Sequence, residues 1–112
     1  MNDCVFCNIV AGRSLAQIVY QDELVTAFRD LHPRAPTHLL IVPNRHIPSC
    51  GELAPGDEAL MGHLLVKAAQ LAAQEKLASF RLVANTGRGA GQSVFHLHFH
   101  LLGGRAFTWP PG

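Results

Sequence analysis

The sequence predicts an α+β fold: roughly five antiparallel strands, one long helix across one face of the sheet, and a short N-terminal helix. Three observations predict it. Short runs rich in β-branched and aromatic residues recur between Pro, Gly and Asp punctuation. One central stretch repeats apolar residues at spacings of three and four. The 112 residues, 48% apolar and 15% charged, suit one domain (1–112) around a single core.

The elements follow in order. Residues 4–10 are short and mostly apolar, which suits one or two helical turns closed by Gly12 as a C-cap. Residues 18–20 and 25–28 flank Asp22-Glu23 and read as strand, turn, strand. Pro33 and Pro36 then interrupt the chain, because neither can donate a ladder hydrogen bond. Residues 38–42 form a strand stopped by Pro43, and residues 48–55 are irregular. The long helix is expected over residues 56–76, about 30 Å at 1.5 Å per residue. Pro55 suits its first turn, and Asp57 and Glu58 sit where the positive end of the helix dipole favours acids. Leu60, Leu64 and Leu71 fall near one apolar stripe, joined by Met61, Leu65, Ala68 and Ala72. Residues 82–84 give another strand, 87–91 a glycine-rich loop, and 94–102 the last strand. The ending Trp109-Pro110-Pro111-Gly112 is irregular.

Charge and composition narrow the function. Nine Lys and Arg against eight Asp and Glu give a formal charge of +1, which supplies no footprint for nucleic acid or an anionic membrane. The longest apolar stretch, residues 39–42, falls far short of the ~18 residues a membrane span needs. The start, Met1-Asn2-Asp3-Cys4, lacks the basic and apolar regions of a secretory signal. With the odd cysteine set Cys4, Cys7 and Cys50, this points to a reduced cytoplasmic protein without a disulfide framework. Seven histidines, nearly as many as the carboxylates, point to a function that uses imidazole.

The last strand concentrates them. His96, His98 and His100 alternate with Leu97, Phe99 and Leu101, so a period of two places three imidazoles on one face. An ordinary half-buried strand would show such alternation, but not with three side chains that titrate near neutrality and can attack or bind metal. The preceding loop, Gly87 to Ser93, leads into a strand rather than a helix and so lacks a dinucleotide fingerprint. A backbone nest for phosphate and a plain flexible hairpin loop both remain open. Cys4-x-x-Cys7 reads as a redox pair lacking a preceding strand, or as two packed reduced thiols. Asp30 alone reads as a turn or cap acid before Pro33; His32 and His63 read as loop and helix-surface residues, and Cys50 as a spare thiol.

The stretch His96-Leu97-His98-Phe99-His100-Leu101-Leu102 resembles the signature of the histidine triad (HIT) family, and specifically its Hint branch of nucleotide-binding hydrolases. The resemblance spans nearly the whole chain. It includes Cys4-Val5-Phe6-Cys7, Phe28-Arg29-Asp30-Leu31-His32-Pro33, Ala35-Pro36-Thr37-His38 and Pro43-Asn44-Arg45-His46. It continues through Asn85, Gly91-Gln92-Ser93 and Gly103-Gly104-Arg105 to the closing Trp-Pro-Pro-Gly. The resemblance implies a HIT-like fold and nucleophilic catalysis on phosphorus, with His98 attacking to give a covalent nucleotidyl-histidine. It implies that His100 and His38 flank the phosphate and donate to its oxygens, with Ser93 bonding the phosphate or assisting the leaving group. Asn85 and Gln92 are neutral amides able to orient the substrate; Asp30 would accept from the ribose hydroxyls, with Leu31 and Phe6 or Ile9 lining the base pocket.

The resemblance also implies a structural zinc held by Cys4, Cys7, His46 and His96, with no cofactor for the reaction itself. Phe95 stands where the dinucleoside polyphosphate hydrolase branch has proline, and the third triad position is histidine rather than glutamine. Together with the ending, this favours cleavage of the phosphorus–nitrogen bond of a purine nucleoside phosphoramidate. Family members are homodimers whose tail approaches the partner's site, which gives Trp109 a role in leaving-group choice. Competing expectations are a dinucleoside polyphosphate hydrolase, a metal-dependent hydrolase using the three histidines as ligands, and a nucleotide-binding interaction protein with vestigial catalysis.

Overall fold

The run Thr37–Pro43 decides the layering. It forms a strand, β3, whose residues from His38 onward are all buried, so both of its faces need cover. The computed structural model describes residues 3–112 and supplies that cover from two unequal helices. Met1 and Asn2, which open the stretch expected to lack a signal, lie outside the described residues.

Helix α1 spans Val5–Val10, and strands β1 (Ile18–Gln21) and β2 (Val25–Arg29) form the first hairpin. After β3 come a 3₁₀ turn at Cys50–Glu52 and the long helix α2, Glu58–Gln74. Strand β4 (Phe80–Val83), a second 3₁₀ turn (Arg88–Ala90) and strand β5 (Phe99–Gly103) complete the fold. The five strands are antiparallel in the order β1-β2-β3-β5-β4. Strand β5 is therefore interior, with His100 paired to Leu40 on one side and Val83 on the other.

Alternation along β3 sorts the core. Leu39 and Ile41 join Val25, Ala27 and Leu101 beneath Leu64, Ala68, Leu71 and Ala72 of α2. Leu40 and Val42 face the opposite way and pack with Phe28 and with Phe6 and Ile9 of α1. Leu39, Ile41, Leu64 and Leu101 are fully buried, and each contributes roughly 1.5–3 kcal/mol relative to exposure. Among the described residues no helix is long and apolar enough to cross a membrane.

Several boundaries differ from expectation. Helix α2 is shorter than 56–76, because Gly56 (φ +102°) and Lys76 (φ +60°) are both in the left-handed region. Gly12 (φ +78°) stands one residue beyond the α1 C-cap, Ala11. Strand β4 lies earlier than 82–84 and omits Ala84. The largest correction concerns the last strand, which begins at Phe99 and not at residue 94. Residues 94–98 leave the ladder because the Leu97 N–H donates to the Ile47 carbonyl at 2.6 Å and the His96 ring to the Pro43 carbonyl at 2.8 Å.

His63 lies at the surface of α2, half-buried, but it is not a bare surface residue. Its Nε2 lies 2.7 Å from Asp22 Oδ2, which also accepts from the Tyr20 hydroxyl at 2.6 Å. Asp22 Oδ1 accepts from the N–H groups of Leu24 and Val25, both at 2.8 Å. The carboxylate thus closes the β1–β2 turn and ties it to α2. Desolvation would raise the Asp22 pKa, but bonds from Tyr20, Val25, His63 and Leu24 outweigh it and hold the carboxyl far below its usual range. A carboxyl with a depressed folded pKa stabilises above its unfolded value, about 3.9, and loses that effect as pH falls toward the folded one. Asp22→Asn is therefore expected to cost about 1.5–3 kcal/mol at pH 7. In urea titrations this difference should shrink as pH is lowered from about 5 toward 2.

Candidate active site

The face covered by α1 is not filled. A cavity of about 310 Å³ opens there, walled by Val5, Phe6 and Ile9 of α1, by Leu15 and Ala16, and by Phe28, Leu40 and Val94. One end is polar, with Asp30, Ser93, His98 and His100, and Leu31 and His32 stand at the same lining. Leu31 is 83% exposed, an apolar side chain held in solvent beside an apolar slot.

The histidines reach this end by different routes. His100 and His38 lie on adjacent strands with Nε2 of His38 2.9 Å from Nδ1 of His100. His98 precedes β5, and its ring packs edge-on against both Phe6 and His100 at centroid distances of 5.0 Å. His96 also meets Phe6, at 6.0 Å. The three triad rings thus share the α1 face as the alternation predicts. The half-exposed pattern does not hold, since His96, Leu97 and His98 are all buried.

Two backbone groups fix the ring protons. His98 Nδ1 is 2.7 Å from the His96 carbonyl, which can only accept, so the neutral ring takes the tautomer with its proton on Nδ1 and its lone pair on Nε2. The Arg34 N–H donates to His38 Nδ1 at 3.0 Å, so His38 carries its proton on Nε2 and donates it to His100 Nδ1. His100 must then hold its own proton on Nε2. Burial pushes the His100 pKa down to about 4, with neighbouring His98 and His38 adding to the shift and Asp30 opposing it. Burial likewise lowers His38, with Asp30 opposing and Arg34 reinforcing. Both rings are neutral at pH 7, in keeping with this chain of donors.

Asp30 is a turn acid that also lines the cavity. Its Oδ1 accepts from the His32 N–H at 2.7 Å, an Asx turn, while Oδ2 lies at the cavity 3.4 Å from His38 Nε2. Ser93 is exposed at the cavity lining. Gln92 and Asn85 do not line it. Gln92 is 3% exposed and already committed: Oε1 accepts from the Gly87 N–H at 2.9 Å, and Nε2 donates to the Pro48 and Val94 carbonyls at 2.8 and 3.1 Å. It closes the glycine loop from inside, and within that loop Arg88–Ala90 form a 3₁₀ turn. The wall residues Leu15, Ala16, Phe28 and Leu40 went unread in the sequence; the doubly apolar run of β3 was the signal for Leu40.

A second cluster sits behind His98. Cys4 Sγ and Cys7 Sγ each lie 3.4 Å from His96 Nδ1, Cys7 Sγ is 3.3 Å from His46 Nδ1, and the two Nδ1 atoms are 3.2 Å apart. Tetrahedral zinc, with bonds of about 2.3 Å to sulfur and 2.0–2.1 Å to nitrogen, requires edges of about 3.3–3.6 Å for nitrogen–nitrogen and sulfur–nitrogen pairs. The His96 Nε2–H bond to the Pro43 carbonyl aims Nδ1 into this set, the outer-shell arrangement of a ligating histidine. The four residues therefore have the donor types and spacing to hold a zinc ion.

An apolar slot closed at one end by neutral, oriented imidazoles defines a small-ligand protein equipped for nucleophilic chemistry at that end. The HIT domain family matches residues 12–107, and the chain belongs to this family. It is 47% identical over 105 residues to the purine nucleoside phosphoramidase of Escherichia coli K12, covering 92% of this chain and 88% of that one. An uncharacterised HIT-like protein of Synechocystis is 49% identical over 111 residues, 98% of this chain and 97% of its own. A HIT family hydrolase from Legionella pneumophila superposes with a TM-score of 0.96 at 46% identity, covering 98% of this chain and 100% of that one.

The buried relay has a measurable titration. In a pH series of ring ¹H–¹⁵N spectra, His100 should protonate near pH 4; a midpoint above 6 would contradict a neutral relay. A folded pKa below the unfolded value of about 6.5 means that the unfolded chain binds more protons between the two, so stability should rise with pH through that window.

Proposed function

We propose that this chain hydrolyses the phosphorus–nitrogen bond of purine nucleoside 5′-phosphoramidates through a covalent nucleotidyl-His98. The observation that carries the reading is the lone pair on His98 Nε2, held available by the Nδ1–H bond to the His96 carbonyl. The 47% identity to a purine nucleoside phosphoramidase supports the substrate class.

In this reading the base enters the apolar slot between α1 and Phe28, and Asp30 Oδ2 accepts from the ribose. His98 Nε2 attacks phosphorus as the bond to the leaving amine breaks. The phosphoramidate nitrogen takes a proton from solvent and leaves as a neutral amine, while the neutral His100 ring, backed by His38, donates its Nε2–H as a hydrogen bond to the phosphate. Nucleotidylated His98 is then an imidazolium. Water attacks phosphorus, the bond to His98 Nε2 breaks, a proton returns to solvent, and the nucleoside monophosphate and neutral His98 are released. Ser93 bonds a phosphate oxygen. Every donor is neutral and pre-aimed, so stabilisation of the developing charge requires little reorganisation.

Cys4, Cys7, His46 and His96 are proposed to hold a structural zinc. The bound ion would supply a cross-link between the N-terminal segment and the residues before β5, and no step of the reaction. The resemblance further supports a cytoplasmic homodimer, with tail residue Trp109, 82% exposed, near the partner's site.

His98→Ala should lower phosphoramidate turnover by at least about 10³-fold. Intact mass spectrometry of wild-type enzyme quenched at high pH should show a nucleoside monophosphate adduct that His98→Ala lacks. Activity of the variant within a few-fold of wild type would remove His98 from the chemistry. For the metal, elemental analysis should find one zinc per chain; Cys7→Ser should lose it and melt at lower temperature. Chelation that abolished turnover while the protein stayed folded would instead place a metal in the reaction.

A further inference from the structure

We infer that Arg105, which does not line the cavity, is a positioning residue that sets the proton arrangement of the histidine relay. The inference rests on the catalytic reading of His98 and His100 for its consequence, but not for its geometry. The Nε of Arg105 donates to the Arg34 carbonyl at 2.8 Å, and its Nη1 donates to the Ala106 carbonyl at 3.0 Å. The guanidinium lies 4.2 Å from the centroid of Phe107, a cation–π contact that holds it in place. Just before it, Gly104 (φ +91°) brings the chain so close to Pro36 that a Cβ there would lie 2.9 Å from the Pro36 Cβ. The segment 104–107 thus clamps the loop that carries Arg34.

That loop has little else to hold it. Pro33, Arg34 and Pro36 are exposed, and only Ala35 is buried. Yet its Arg34 N–H is the donor that selects the His38 tautomer. Arg105 holds the carbonyl of the same residue, so the two bonds restrain both peptide units flanking the Arg34 Cα. If the N–H swings away, His38 is free to carry its proton on Nδ1. Its bare Nε2 then faces His100 Nδ1 at 2.9 Å, a contact that holds only if His100 shifts its own proton from Nε2 to Nδ1. The error propagates, and the Nε2–H that His100 offers to the phosphate is lost. Asp30 Oδ2, 3.4 Å from His38 Nε2, favours the working tautomer, so loss of Arg105 shifts the balance without abolishing it.

The test uses full-length, uniformly ¹⁵N-labelled protein and long-range ¹H–¹⁵N correlation of the histidine rings without substrate. Arg105→Met keeps an aliphatic stem over Phe107 and removes the donors. It should convert His38 and His100 from single Nε2–H forms to tautomer mixtures. With adenosine phosphoramidate, kcat should fall by about two- to twelve-fold, the worth of one hydrogen bond, while KM stays within about two-fold. Arg105→Lys, which restores a donor to the Arg34 carbonyl, should recover both readouts. Arg81→Met keeps an aliphatic stem over Phe107, which the Arg81 guanidinium also approaches at 5.2 Å, removes only the 3.0 Å bond to the Thr108 carbonyl, and should leave the tautomers unchanged. Wild-type tautomers in Arg105→Met overturn the inference, as does an equal loss in Arg81→Met. An active His98→Ala enzyme would overturn the catalytic reading instead, and the ring spectra would separate that failure from this one.

Discussion

The site depends on the main chain of His96. Its carbonyl accepts the Nδ1–H of His98 at 2.7 Å, and its ring Nε2–H is anchored on the Pro43 carbonyl at 2.8 Å. The next residue is tied by its N–H to the Ile47 carbonyl at 2.6 Å. Held in this way, residues 96 and 97 cannot join the ladder with β3, and the strand opens only at Phe99. This departure turns a strand with regularly spaced imidazoles into a cluster. The His98 ring folds back onto its own chain, packs against Phe6, and presents one nitrogen to the cavity end.

Polarity without charge is the second constraint. A buried ionic donor would carry a large desolvation cost, whereas a neutral imidazole pays it only in hydrogen bonds that its neighbours supply. Burial lowers the pKa of both His38 and His100, and the neutral rings then need fixed tautomers to act as donors at all. Those tautomers are set by backbone groups of residues 34 and 96, which do not titrate. Geometry near neutral pH therefore does not hang on the protonation of any single side chain in the chain of donors. The near-balanced net charge of +1 belongs with this economy of charge.

Much of this was legible in the sequence, and the failures have physical causes. Elements whose period extends over many residues, α2 and the β1–β2 hairpin, emerged nearly as read. The last strand was misread at its start because alternation reports which face side chains take, and residues 94–98 keep the α1 face without pairing. The cysteine and histidine set came together across 92 positions of separation, as the resemblance implied, although spacing alone could not have joined residues 4 and 96. The three backbone partners of Gln92 were not legible, because a neutral amide in a loop has the same letter whether or not it closes that loop. His63 was undervalued because nothing local on α2 announces Asp22 in a turn 41 residues earlier.

The unequal cover of the sheet explains why the short N-terminal helix needs support from outside itself. Helix α2 is 17 residues long and buries one face on its own. Helix α1 has only six residues, far below the length at which a helix holds itself together in water. Two apolar anchors, Phe6 and Ile9, are buried beneath it. The Cys4 and Cys7 sulfurs, at the N-cap and first turn of that helix, meet the His96 and His46 rings and add the restraint that its length cannot. At the opposite edge Arg105 does the same for the short loop over His38. The incomplete cover leaves the 310 Å³ slot open, and these side-chain contacts tie its walls to the segments around them. A longer α1 would bury more apolar surface and fill the cavity; the short, tethered helix gives up that stability for a place where a ligand can sit.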